Sequence, residues 1–323
     1  MSNSITNFYK KKNFNFQSFR KYFSLFVLFG IIAFFSMFAK HFFSLSNFSI
    51  MLAQGSILLI AAMGETLVIL AGSIDLSVGS LIGLGAVLSA GFSSNFGAFS
   101  FLIAIIAGMT LGSISGLLHS KGRIPSFIAT LGMLTVARGI VFLYTQGNPI
   151  LADSEFMTEL GIGRFLGIPK IVIFAFAVAI IMIFITNNTI LGRWIRGIGC
   201  AERMIRLSAV PIEKVKFFVF VLSGGLAALA GAVQAARIGS GVPTTGSGQE
   251  LDVIAAVVIG GASMTGGVGH CLGTVVGVYI MTILGTGLDL MGVDAYQQMV
   301  IKGVVLAIAV LLSVDRKRII VMK

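Results

Sequence analysis

Residues 187–216 read N-N-T-I-L-G-R-W-I-R-G-I-G-C-A-E-R-M-I-R-L-S-A-V-P-I-E-K-V-K, the longest polar interruption between the apolar segments of this chain. Six basic side chains, Arg193, Arg196, Arg203, Arg206, Lys214 and Lys216, stand there against two acids, Glu202 and Glu213. Apolar stretches long enough to cross a bilayer flank it on both sides. Lys and Arg resist translocation, so a basic segment between two spans is held on the cytoplasmic side. That placement orients every other span. Inside the stretch, Ala201 to Ala209 reads as a short helix, with Met204, Ile205 and Leu207 apolar among Glu202, Arg203 and Arg206, and Pro211 ends it. Such a segment is either a basic connector resting on anionic lipid headgroups or a docking helix for a cytoplasmic partner.

The 323 residues are 56% hydrophobic and 11% charged, with a mean hydropathy of +1.00. Soluble domains carry about a quarter of their residues as charges. The chain is therefore expected to be an all-α, polytopic membrane protein. Its net charge of +11 does not point to nucleic acid, because the positive residues sit in loops and tails rather than on one folded face. The two cysteines, Cys200 and Cys271, make neither a disulfide framework nor a metal site and read as small packing residues on the cytoplasmic side. Forty glycines point to close helix packing and to broken helices.

Working outward, the apolar candidates lie near 23–39, 50–71, 74–93, 98–118, 125–146, 168–187, 215–237, 252–268, 270–291 and 297–314. Each is close to the ~20 residues a helix needs to cross the hydrocarbon. About ten transmembrane helices follow, with both termini cytoplasmic. Residues 1–22 form a basic tail, 23–314 the membrane domain with a cytoplasmic loop at 188–214, and 315–323 a second basic tail. The first apolar run is read as an uncleaved span, since no small-x-small site precedes Lys40.

Charge placement tests this order. The inside receives the basic residues of the N-terminal tail, Lys121, Arg123, the six of the central loop, and Arg316, Lys317, Arg318 and Lys323. The outside keeps Lys40, Arg164, Lys170 and Arg237, and its loop 147–167 carries Asp153, Glu155 and Glu159. The bias is the one the positive-inside rule demands.

Two regions resist simple spans: L-A-G-S-I-D-L-S-V-G-S-L-I-G-L-G-A-V-L-S-A at 70–90 and V-I-G-G-A-S-M-T-G-G-V-G-H-C-L-G-T-V-V-G at 258–277. Both place Gly, Ser or Thr and a break within apolar sequence, at comparable places before and after the central loop, which suggests an internal repeat pairing them. Broken backbone at membrane depth survives where protein buries it or a water-filled cavity lines it. Ladders at Gly108/Gly112/Gly116 and Gly269/Gly273/Gly277 read as helix-packing faces.

Glu65, Asp75, Arg138 and Lys302 lie within or at the edge of spans, where each charge costs at least ~2.5 kcal/mol at mid-bilayer. Asp75 precedes Leu76-Ser77-Val78-Gly79-Ser80 as the N-cap of a helix restarting after Gly72, as a pathway residue, or as both. Lys302 reads as a cation snorkelling outward from the last span. Arg138 either lines a polar path with Thr130 and Thr135 or pairs with Glu65 or Asp75. With Ser77 and Phe127, the residues Glu65, Asp75, Thr130 and Arg138 make up the candidate lining of a translocation pathway. No catalytic constellation accompanies them. His41, His119 and His270 are scattered, G-x-S-x-G and H-E-x-x-H are absent, and no Gly-Lys pair occurs, so no P-loop binds ATP here.

A-G-S-I-D-L-S-V-G-S (71–80), R-I-P-S-F-I-A-T-L-G-M-L-T-V-A-R-G (123–139), R-L-S-A-V (206–210) and G-S-G-V-P-T-T-G-S-G-Q-E-L-D-V-I-A-A-V-V-I-G-G-A-S-M-T-G-G-V-G (239–269) together resemble the ribose-type permease family. The resemblance spans roughly residues 45–315. It departs at Arg203, where the family usually places a second acid beside Glu202, and at Gln249, where an aromatic is frequent. It implies the membrane subunit of a bacterial ABC importer for a monosaccharide, multi-pass in the inner membrane and not itself an enzyme. It also implies a paired second permease, identical or not, a cytoplasmic ATPase that binds the ATP, and a periplasmic or lipid-anchored sugar-binding protein. The chain itself would carry no cofactor and no metal, and its other neighbour is membrane lipid. Glu202, Arg203, Arg206, Leu207 and Ser208 would then form the helix that couples to the ATPase. The rival reading of the intramembrane charges is an ion or proton relay in a secondary symporter or channel for a small polar solute.

Overall fold

The computed structural model describes residues 16–313. Of the tails expected at 1–22 and 315–323, residues 1–15 and 315–323 lie outside it, and the first helix already begins at Phe16. Helices α1 (Phe16–Phe38), α2 (Leu45–Leu70), α3 (Val78–Gly91), α4 (Ser93–Phe96), α5 (Phe99–Ser120) and α6 (Ser126–Thr145) come first. Strand β1 (Ile150–Leu151), helix α7 (Glu155–Ile162) and strands β2 (Arg164–Phe165) and β3 (Ile168–Pro169) follow. Then come α8 (Lys170–Asn188), α9 (Ile190–Arg206), α10 (Ile212–Ile238), β4 (Ser240–Gly241), α11 (Gln249–Ile259), α12 (Cys271–Leu290) and α13 (Ala295–Ser313). All five prolines fall between helices, and Pro125, Pro169 and Pro211 stand immediately before α6, α8 and α10, where a missing N–H costs nothing.

Six helices, α2, α5, α6, α8, α10 and α12, are long and apolar enough to cross a membrane, and Ser24–Phe38, α3 and Ala295–Leu311 are shorter apolar helices. The spans expected at 74–93 and 252–268 are broken instead. Chain 72–77 is non-helical before the 14 residues of α3, and α11 stops after 11 residues, followed by non-helical chain at 260–270. Gly72, Gly261, Gly266, Gly267 and Gly269 adopt positive φ there, which interrupts the i to i−4 ladder.

The core is a crossed arrangement of two halves. Helix α10 packs on α3 and α5, while α2 packs on α11 and α12; α3 packs on α6, and α11 on α13. Gly108 and Gly112 of α5 face the Gly224 and Phe220 carbonyls of α10 so closely that an added Cβ would sit 2.3 and 2.4 Å from them. Gly273 and Gly277 of α12 face α11 in the same way, whereas Gly269 belongs to the break. Short sequence matches run between the segment α2–α6 and the segment α10–α13. Asp75-Leu76-Ser77-Val78 corresponds to Glu250-Leu251-Asp252-Val253, and Arg138-Gly139 to Lys302-Gly303.

The molecule has two ends. At one, β1 pairs antiparallel with β4 (Ile150 opposite Gly241), the Asp153 N–H donates to Ser93 Oγ at 2.8 Å, and α7 abuts α10. At the other, both breaks, the α5–α6 turn and α9 meet.

Candidate functional site

A non-helical stretch inside a membrane protein must find partners for its own N–H groups. In 74–77 all four are satisfied by side chains. Ile74 N–H donates to Ser126 Oγ at 3.1 Å, Asp75 N–H to Glu65 Oε1 at 3.3 Å, Leu76 N–H to Thr130 Oγ1 at 3.1 Å and Ser77 N–H to Asp75 Oδ1 at 2.9 Å. Ser77 Oγ donates to Asp75 Oδ1 at 2.5 Å, and Ser223 Oγ of α10 to Asp75 Oδ2 at 3.0 Å. Glu65, Asp75, Ser77, Thr130 and Ser223 are buried, and Glu65 Oε2 has no partner among the described residues. Asp75 is not the N-cap expected of it. Ser77 holds that position without a capping bond, and Asp75 closes an Asx turn onto it.

Arg138 stands apart from this cluster. Its Nη1 donates to the carbonyls of Pro243 and Thr245, both at 2.9 Å, and Glu250 is its charged neighbour. It pairs with neither Glu65 nor Asp75, which removes that one of the two alternatives read from the sequence. Thr135 bonds only the Leu131 carbonyl of its own helix and is exposed; Phe127, half-exposed, lies on the outer face of α6. Lys302 does not snorkel freely: its Nζ donates to Asp252 Oδ2 at 2.7 Å.

The basic stretch departs from a helix over 201–209. Helix α9 starts at Ile190, capped by Thr189 Oγ1 accepting from Gly192 N–H, and bends at Ala201 (φ −160°, ψ 76°). Only Glu202 to Arg206 continue it, and Ala209 sits at φ 56°. Glu202 accepts from Arg206 (3.1 Å) and Lys216 (2.8 Å), and Arg206 also donates to Glu213 (2.8 Å). Partial burial works to raise the Glu202 carboxyl, but the bonds and charges of Lys216 and Arg206 outweigh it and hold the group below its ordinary range. Glu213 first and Glu202 second raise the Arg206 guanidinium. Arg203 has no partner among the described residues. It lies exposed with Met204, Leu207 and Ser208.

Three backbones converge beside this helix. Gly267 N–H donates to the Leu70 carbonyl at 2.9 Å, and Cys200 Sγ lies 3.5 Å from the Gly267 carbonyl. A Cβ on Gly199 would stand 2.0 Å from Leu70 O and 2.4 Å from Gly267 N, and one on Gly266 would stand 2.7 Å from Gly72 Cα. The end of α2, the end of the second break and α9 thus touch with no side chain between them. Cys200, read as a small packing residue, is exposed at this junction; Cys271 is buried and accepts from Thr186 Oγ1 at 3.4 Å.

Residues 47–310 match the family model described as branched-chain amino acid transport system / permease component. The chain belongs to this permease family. Across 91% of its length the permease is 42% identical to the ribose import permease protein RbsC of Escherichia coli K12, covering 93% of that protein. It is equally identical, over 83% of its length and 84% of the relative, to RbsC of Bacillus subtilis 168. The D-allose transport system permease protein AlsC of E. coli K12 is 35% identical over 94% of the permease and 95% of its own chain. No solved structure matches it.

The structure brings Glu65, Asp75, Ser77 and Thr130 of the permease together and leaves Phe127 and Arg138 elsewhere. Sequence reading missed Ser126 and Ser223, whose hydroxyls complete the cluster, and the junction glycines. Neither serine stands out in an apolar span, because a neutral hydroxyl draws no penalty comparable to a charge.

Proposed function

We propose that this chain is the membrane-spanning subunit of an ATP-driven bacterial sugar importer, passing a ribose-like monosaccharide delivered by an extracytoplasmic binding protein. The carrying observation is 42% identity to ribose import permeases over nearly the whole chain. The family model's description names branched-chain amino acids, but the more specific relatives import ribose and allose. The subunit sits in the cell membrane, is not an enzyme, and works with a separate ATPase and a binding protein. A second permease copy or homologue completes the pathway.

We further infer ten passes with both termini inside. The alternation supports this: α2, α5, α8, α11 and α13 run one way, α1, α3, α6, α10 and α12 the other, and the basic α9 lies at the end where both breaks meet. The 188–214 loop is the coupling element, with Arg203, Leu207 and Ser208 exposed for contact and Glu202 and Arg206 holding its shape. Glu65, Asp75, Ser77 and Thr130 brace the restart of α3 beside the pathway. A symporter relay is disfavoured, because Arg138 is spent on two carbonyls away from the acids.

The test is uptake of D-ribose in proteoliposomes carrying permease, ATPase and binding protein. Uptake that persists when the proton gradient is dissipated and stops when ATP is removed fits the importer. The opposite pattern would establish the symporter.

A further inference from the structure

We propose that a polar chamber between α2, α10, α11, α12 and α13 is a sugar-binding subsite of the pathway, formed by Gln54, Gln234, Arg237, Gln249, Asp252 and Lys302. The chamber, open on one side, holds about 120 Å³. The side chains of Gln54, Gln234, Gln249 and Arg237 have no hydrogen-bond partner among the described residues, and all four face this one space. Gln54 is exposed and Gln234, Gln249 and Arg237 are half-buried, so three carboxamides and a guanidinium stay open to hydrogen bonds from a polar solute or water.

The donor and acceptor set fits a polyol. Each sugar hydroxyl offers one donor and two acceptor positions, and each carboxamide answers with both kinds. Asp252 adds acceptor oxygens and Lys302 donors. Ile57, Leu58 and Met281 line the chamber as well, so the preference for a polyol rests on the number of polar groups and not on a lack of apolar surface. The location also fits delivery from outside. Gln234 and Arg237 are in the last turns of α10 and Gln249 opens α11, at the end where β1 meets β4.

The Asp252–Lys302 pair stands as a wall. The same two residues line a second cavity of about 170 Å³ on the other side, between α11 and α13, with Leu251, Met299 and Leu306. Hydroxyls competing for the carboxylate and the ammonium would loosen that wall only when sugar occupies the chamber. Lys302-Gly303 matches Arg138-Gly139 in residue type, and Arg138 is locked to two carbonyls. Only the second half keeps its cation on a side-chain partner that a ligand can replace.

This inference rests on the sugar-importer reading, and the experiment separates the two. In proteoliposomes with ATPase and binding protein, D-ribose uptake and ATP hydrolysis are measured together for Gln54→Leu, Gln234→Leu and Gln249→Leu. The expected result is roughly a tenfold or greater fall in ribose moved per ATP, with stimulation of hydrolysis by loaded binding protein retained. A second arm needs no loss of an amide pair: Gln234→Cys in a Cys200→Ser background is labelled with a small thiol reagent. D-ribose should slow that labelling and L-leucine should not. Unchanged ribose per ATP in the three Leu variants, or labelling indifferent to ribose, overturns the subsite. A wild-type system that moves no ribose while moving leucine overturns the sugar reading itself.

Discussion

Gly267 donates its backbone N–H to the carbonyl of Leu70, so the two chain breaks, far apart in sequence, are tied by a hydrogen bond at the point where α9 rests on both. A displacement of α9 cannot reach one break without loading the other. Rigid contact of this kind, with no compliant side chain between, is suited to passing on a rigid-body movement.

Gly199→Ala is the direct test. Its methyl would have to occupy the space of Leu70 O and Gly267 N. The expected outcome is a protein that still inserts and still binds its ATPase, with uptake reduced roughly tenfold or more, the effect of about 1.4 kcal/mol on the transport step. Normal uptake would mean that the junction gives way freely and transmits nothing.

Asp75 accepts from Ser77 N–H, Ser77 Oγ and Ser223 Oγ. Asp75→Ala leaves a buried N–H and two hydroxyls searching for partners and should cost about 1–3 kcal/mol, read as a lower unfolding temperature in detergent, with reduced uptake. Asp75→Asn keeps one acceptor for Ser77 and can donate to Ser223, so it should be milder. Equal and severe loss in both would establish a required charge in place of a bracing role.

Much of this was legible beforehand, for physical reasons. Translocation energetics leave their mark on charge placement, and Gly, Ser and Thr mark broken backbone, so the basic loop and the two breaks could be read from local sequence. The use of Ser126 and Thr130 as acceptors for Ile74 and Leu76 could not, because it depends on helices meeting across sequence-distant positions. Nor could the bond from Arg206 to Glu213, which the chain reversal at Pro211 brings about. Gln54 and Gln234 escaped notice because the reading of the spans singled out charges and broken backbone, and a neutral amide within a helix is neither.

Arg203 is the sharper probe of ATPase docking. Arg203→Glu changes an exposed, unpaired cation, whereas Arg206→Glu also breaks the bonds to Glu202 and Glu213. Exposed pairs contribute little singly, so the single Arg203 reversal should weaken ATPase co-purification chiefly at raised salt, and the double reversal should abolish it together with uptake. Persistence of both in the double variant would reduce the loop to a connector.

Sidedness is checked by thiol labelling in a Cys200→Ser background. Glu155→Cys should react with an impermeant reagent applied outside, and Arg203→Cys only after the membrane is opened. The reverse pattern would invert the topology.

Because the Glu202 carboxyl is held below its ordinary range, the ordering it gives 201–216 is present above the unfolded carboxylate value and lost as pH falls through the lower, folded value. Amide exchange in that segment should be unchanged from pH 7 to about 5 and, once the intrinsic pH dependence is removed, faster below about 4. Glu202→Gln should show the faster exchange at neutral pH as well.

The side-chain bracing of 74–77 bears on how the protein is made. Ile74 and Leu76 find their acceptors on Ser126 and Thr130, residues that leave the ribosome after α3 is complete. Until α6 arrives, two N–H groups lack partners, and each unsatisfied group in hydrocarbon costs several kcal/mol. The α2–α3 hairpin therefore has no stable way to partition into lipid as a finished unit. It must wait at the insertion machinery, or beside water, until the chain has been synthesised past residue 130.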